Sequence, residues 1–199
     1  MAPPRTRRRS LLRRVLGRRG RRLRARRAVL ALALVAGAVA GRLFVWPPVD
    51  EPSLADAVVV LGDAAPVGLD PAAALVERRA APVLVIPNGA HPSWPEANRL
   101  CALRRPGLTV LCPAAGNDTL RGQARLVGLL AAERGWNDLA VVSDRDRLSR
   151  VRLALGRCLT GEHLQAVAAA PGPGVAERLR RAPGNAAAYA ALLSAQRDC

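Results

Sequence analysis

The 199-residue chain is half apolar but only 3% aromatic, and its 31 basic side chains, every one an arginine, face 15 acidic ones. Thirteen arginines lie in Met1–Arg27, which holds no acid, so the remaining 18 are nearly balanced by the 15 acids. Charge confined to a tail, with no aromatics interleaved for base stacking, excludes a nucleic-acid-binding fold.

Residues 1–27 are read as a cytoplasmic arginine-rich tail that lies close to anionic lipid. Ala28–Trp46 follows, an apolar stretch broken only by Arg42. At about 1.5 Å per residue it reaches roughly 28 Å, near the thickness of a bilayer core. The expectation is a transmembrane signal anchor in the plasma membrane. By the positive-inside rule its amino end stays in the cytoplasm and the chain beyond Trp46 is extracytoplasmic. A rival reading is open. Ala38-Val39-Ala40 is a small-x-small signature, and Ala28–Ala40 has the length of a cleaved signal core.

Residues 47–55 form a Pro-rich tether that cannot be helical throughout. From 56 to 199 the chain alternates. Asp56–Gly62, Pro82–Gly89, Leu108–Pro113, Asp138–Ser143 and His163–Pro171 read as strands, the first ones nearly continuous runs of the kind buried on both faces. Asp70–Ala81, with an Asp cap and Pro at its first position, reads as a helix. So do Trp94–Arg104, Asp118–Gly135, the arginine-rich stretch after Ser143, and Asn185–Asp198. Strands alternating with helices imply a Rossmann-like three-layer α/β domain with a mainly parallel sheet.

All four cysteines follow the apolar stretch, as suits an exported domain. Three pairings are possible, of which Cys101–Cys112 with Cys158–Cys199 is favoured. The absence of a Cys-x-x-Cys spacing argues against a metal site.

In an open parallel sheet ligands bind beyond the carboxyl ends of the strands. Gly62 and Asp63 stand there, then Asn88 and Gly89, then Gly116 to Thr119, then Ser143 to Arg147. Small polar groups and helix amino ends on one rim favour an anion, with Arg121, Arg147 and Arg150 in reach. Each has a plainer reading as well: glycines that permit turns, Asp118 or Thr119 as a helix cap, Asp144 and Asp146 complementing a helix dipole.

The runs ADAVVVLG, PVLVIPNG, GNDTLRGQAR and LAVVSDRDRLSRVRLALGRC, in that order, resemble the YdcF-like family of SanA/ElyC-type envelope proteins. The likeness is greatest to its membrane-anchored branch in high-GC Gram-positive bacteria, and it runs from about Asp56 to Cys158. It implies a Rossmann-like fold, a polar pocket at the strand ends and a part in cell-envelope biogenesis. Gly62 and Asp63 stand where members have Gly-Gly, and Asn88 and Gly89 where many have Ser-Gly-Gly or Ser-Asp-Gly. Thr119, Arg121, Gly122 and Gln123 match Thr-x-Arg-Gly-Glu with Gln for the acid, and Arg150 matches the arginine of the last motif.

One departure is chemical. Where the family has a histidine before that arginine, this chain has Arg147, which cannot exchange a proton near neutral pH. His91 lies just past a strand end, and His163 begins a strand at the opposite edge. Three functions fit these residues. The first is a membrane-anchored, exported domain binding an anionic or nucleotide-like ligand at the strand carboxyl ends, with its catalysis left open. The second is a non-catalytic interaction module with a vestigial pocket. The third is a hydrolase or transferase using Asp63, Asp144 or Asp146 as base. The residues do not identify a cofactor.

Overall fold

The computed structural model describes residues 26–61, 65–88, 94–116, 119–169, 172, 174–194 and 199. Arg26–Val45 is a 20-residue helix (α1), long and apolar enough to cross a membrane. Its Val29, Leu30, Leu32, Leu34, Val35 and Val39 are all more than half exposed, unlike the residues of a core helix. The chain divides into two compact units, Met1–Ala40 and Gly41–Cys199.

Gly41–Cys199 is a five-stranded, wholly parallel sheet covered by helices. Its strands are β1 (Ala57–Val60), β2 (Val83–Val85), β3 (Thr109–Leu111), β4 (Asp138–Ser143) and β5 (His163–Ala168). Their spatial order is β3-β2-β1-β4-β5. The helices are α2 (Ala65–Glu77), α3 (Pro95–Ala102), α4 (Leu120–Arg134), α5 (Leu148–Cys158) and α6 (Val175–Ser194). Side chains alternate across a strand, so β1 feeds two cores. Ala57, Val59 and Leu61 pack with Val127, Ala131, Val151 and Leu155 of α4 and α5. Val58 and Val60 pack with Leu69, Ala72 and Leu75 of α2 and with Ala97 of α3. Every residue of β1 is buried, as its unbroken apolar run requires.

Two helices differ from the sequence expectation. Helix α2 begins at Ala65, five residues before Asp70, and carries Pro71 in its interior. Burial of Leu69 and Ala72 against the sheet outweighs the backbone hydrogen bond that the proline removes. Helix α6 begins at Val175, ten residues before Asn185, and contains Pro183. A tertiary partner holds this early turn: Arg178 is buried and donates to the Val45 carbonyl. The carboxyl end expected for this helix, 195–198, lies outside the described residues, as do 170 and 171 of the expected β5.

Gly41–Val45, the last turn of α1, is π-helical, with the Trp46 amide bonding to the Gly41 carbonyl at 2.9 Å. It belongs to the folded domain. Phe44 and Val45 are buried, Phe44 meets Tyr189 of α6 edge-on at 5.7 Å, and Ser149 Oγ donates to the Leu43 carbonyl at 2.6 Å. The Pro-rich residues 47–55 are also held. The Asp50 amide donates to the Ala166 carbonyl at 3.0 Å, and the Asp50 carboxylate accepts from the Ala166 amide at 2.7 Å and from Arg152 at 2.6 Å. The Ser53 amide donates to Gln165 Oε1 at 2.9 Å. These bonds occupy the outer edge of β5, which would otherwise present unpaired backbone groups to solvent. Burial pushes the Asp50 carboxyl up, but the Ala166 amide and the Arg152 guanidinium outweigh it and hold it below its ordinary value.

Two disulfides, Cys101–Cys112 and Cys158–Cys199, close the molecule in the favoured pairing. The first ties α3 to the residue after β3. The second ties the end of α5 to the chain terminus, where Arg125 of α4 also bonds to the Cys199 carbonyl at 2.9 Å. Such bridges suit an oxidising compartment.

Candidate functional site

Strand order reverses between β1 and β4, which places the switch point of this sheet between their carboxyl ends. Of the candidate residues there, Gly62, Asp63, Gly89, His91 and Asp118 lie outside the described residues. The others fall into two groups.

The first group is the rim beyond β2 and β3. Asn88 adopts a left-handed backbone, φ 55°, which Asn tolerates better than most residues. Its amide donates to the Pro113 carbonyl at 2.9 Å and its Oδ1 accepts from the Ala115 amide at 2.6 Å. The end of β2 thus holds the loop after β3 in place. That loop leads to Thr119, whose hydroxyl accepts from the Gly122 amide at 3.1 Å and caps α4. Ala115, Gly116, Thr119, Arg121, Gly122 and Arg125 line a cavity of about 320 Å³ at this helix start. The start of α4 and two arginines border this space, with the Gly122 amide engaged by the Thr119 hydroxyl and the Arg125 guanidinium by the Cys199 carbonyl; a helix start beside arginines favours negative charge. Gln123 is buried behind it and does not line the cavity.

The second group is the corner after β4. Ser143 ends the strand, 2% exposed, and its carbonyl accepts from the Ala169 amide at 2.8 Å. A 3-10 turn, Arg145–Arg147, leads into α5. Asp144 meets Arg147 Nε at 3.6 Å, with both side chains largely withdrawn from solvent. Asp146 is fully buried, and its Oδ2 accepts from Asn185 Nδ2 of α6 at 2.9 Å. Arg181 of α6 is held above its ordinary value chiefly by Glu177, with Asp146 and Asp144 adding to the effect. Helix α6 therefore covers this corner, and the aspartates are turned inward to it. Arg150, half-buried on α5, does not line the cavity after β3.

The structure thus separates residues that sequence order groups together. Thr119 and Arg121 reach one cavity; Ser143, Asp144, Asp146 and Arg147 build a joint. His163 is exposed at the amino edge of the sheet, away from both, as its place at a strand start implies. Arg125, which the strand-end rule does not pick out, lines the cavity one helical turn after Arg121, a spacing of four that could have revealed it. Nothing in the local sequence announces Arg181 and Asn185 as partners of the β4–α5 corner.

Fold and rim together define a Rossmann-like α/β domain with an arginine-lined cavity at the carboxyl edge of its parallel sheet. No family model matches the chain, and no curated protein or solved structure matches it either.

Proposed function

We propose that this is an exported, YdcF-like envelope domain that binds a small anionic or nucleotide-like molecule at the carboxyl edge of its sheet and does not turn it over. The observation that carries the reading is the cavity at the start of α4, lined by Thr119, Arg121, Gly122 and Arg125. Export is supported by the membrane-length helix, the arginine tail before it and the two disulfides. In this reading Asp144 and Asp146 serve structure, because Arg147 and Asn185 engage them inside the fold.

The test is a thermal-shift and calorimetric screen against nucleotides, nucleotide sugars, lipid phosphates and inorganic phosphate. A ligand at a hundred times its Kd stabilises by about 2.7 kcal/mol, which raises Tm by roughly 5–10 °C for a domain of this size. Arg121→Ala should abolish that rise and leave the Tm of the unliganded protein within about 1–2 °C of wild type, as expected for a substitution away from the core. A second reading, an interaction module with a vestigial pocket, is favoured by the inward pairing of the β4–α5 corner. Flat curves across the whole panel would select it.

A further inference from the structure

The membrane-length helix and the folded domain compete for the same residues. Gly41–Val45 completes the 20 residues of α1, yet it lies inside the compact unit Gly41–Cys199. An arginine and a serine hold its carbonyls: Arg178 donates to Val45 and Ser149 to Leu43. Phe44 and Val45 are 3% and 2% exposed. A turn fastened by a buried guanidinium and a hydroxyl belongs to the aqueous domain and is not available to span hydrocarbon.

Subtracting that turn leaves Ala28–Ala40 as the apolar helix. Its thirteen residues reach roughly 20 Å at about 1.5 Å each, against the roughly 30 Å of a bilayer core. A span short by about 10 Å must thin the bilayer or draw in its flanks, at a cost for every ångström. The same length falls within the roughly 7–15 residues of a cleaved signal core. The remaining parts of such a signal are present. An arginine-rich segment precedes the core, Ala38 and Ala40 are the small residues that a signal peptidase reads, and the next residue, Gly41, is the first of the compact unit. Regular α-helix also gives way to the π-helical turn at that residue.

We propose that the chain is cut between Ala40 and Gly41 during export and that the mature protein is the free domain Gly41–Cys199. A signal-peptidase-type endopeptidase of the membrane would hydrolyse the Ala40–Gly41 peptide bond. Water supplies the hydroxyl to the Ala40 carbonyl carbon and a proton to the departing Gly41 amine. The tertiary contacts of Leu43, Phe44 and Val45, to Ser149, Tyr189 and Arg178, lie on the mature side, so the cut costs the domain only the helical backbone bonds that run back across it. The proposal rests on the export reading and replaces a permanent anchor with a transient one.

The full chain, expressed in an export-competent bacterium, is fractionated and its amino terminus sequenced. Its cysteines are probed by thiol alkylation. The expected product begins at Gly41, lacks free thiols and stays out of the membrane pellet. The variant Ala38→Leu/Ala40→Leu, altered only outside the compact unit, should stay 199 residues long and sediment with the membrane. A full-length wild type with oxidised cysteines would overturn the cleavage and leave export standing. A full-length wild type with free thiols would overturn both. A cut that leaves any other amino terminus would also refute the proposed site.

Discussion

Among the described glycines, Gly128 of α4 is the one where an added Cβ would come closest to another element. A Cβ added there would sit 2.6 Å from the Cys158 carbonyl oxygen and 3.2 Å from the Cys158 carbonyl carbon and Cβ. To reach the 3.4 Å of ordinary contact, α4 and α5 would have to part by about 0.8 Å. The joint resists that movement. Cys158 is bridged to Cys199, and Arg125, one turn before Gly128 on α4, holds the Cys199 carbonyl. Overpacking costs about 1–3 kcal/mol, and backbone contact places this case in the upper half. Alanine returns up to about 1 kcal/mol through helix propensity. Gly128→Ala should therefore lose about 1–2 kcal/mol net, a fall in Tm of roughly 2–8 °C at this chain length. Gly156 of α5 is the control, because a Cβ there meets nothing within 4 Å. Gly156→Ala should gain up to about 1 kcal/mol. Thermal and urea unfolding followed by circular dichroism read both variants side by side. A Gly128→Ala protein as stable as Gly156→Ala would refute the close approach of α4 and α5.

The other contacts of the domain set three more expected outcomes. Loss of the Cys158–Cys199 bridge, with 41 residues of separation, should destabilise more than loss of Cys101–Cys112, with 11. Chain entropy gives about 4 against about 3 kcal/mol, and urea midpoints of the paired Cys→Ser variants would show whether that order holds. Asp50, whose carboxyl is held below 3.8, stabilises the fold above that pH and loses its contribution as pH falls through its lowered value. Glu177 behaves in the same way between 4.5 and about 2, held down by Arg180 and Arg181, both of them exposed, whereas the Arg152 beside Asp50 is largely withdrawn from solvent. Salt should therefore erase the Glu177 share of the acid limb while leaving more of the share that Asp50→Asn removes. Unfolding midpoints from about pH 5 downward at two ionic strengths separate the two carboxylates. Asp146→Ala should cost about 1–3 kcal/mol by leaving the buried Asn185 amide without its partner, and should not alter binding at the α4 cavity. A ligand affinity that falls with Asp146 instead would place the aspartate in the binding site.

The alternation of apolar strands and helices was legible because it rests on local composition. The β-branched run at Ala57–Val60 has to be buried on both faces, and Thr119 and Gly135 bound α4 by ordinary cap chemistry. The pairing of the cysteines was also within reach, since each bridge closes elements whose order the sequence already implies. The candidate rim was legible only as a group of strand ends. Position along the chain could not show that Thr119 and Arg121 face open space while Asp144 and Asp146 face inward. That distinction depends on α6, whose first ten residues have no helical signature strong enough to overcome a proline at 183 and a glycine at 184.

By itself the sequence determined the parallel α/β class, the charge on the tail and the stretch of chain apolar enough to cross a membrane. These depend on short-range periodicity and composition, which need no knowledge of what lies opposite. Only the tertiary structure decided that the last turn of α1 belongs to the folded unit. Apart from Arg42, Gly41–Val45 is apolar like the residues before it, and hydropathy cannot distinguish lipid from the interior of a domain. The contacts from Ser149, Arg178 and Tyr189, more than a hundred residues away, assign that turn to the domain.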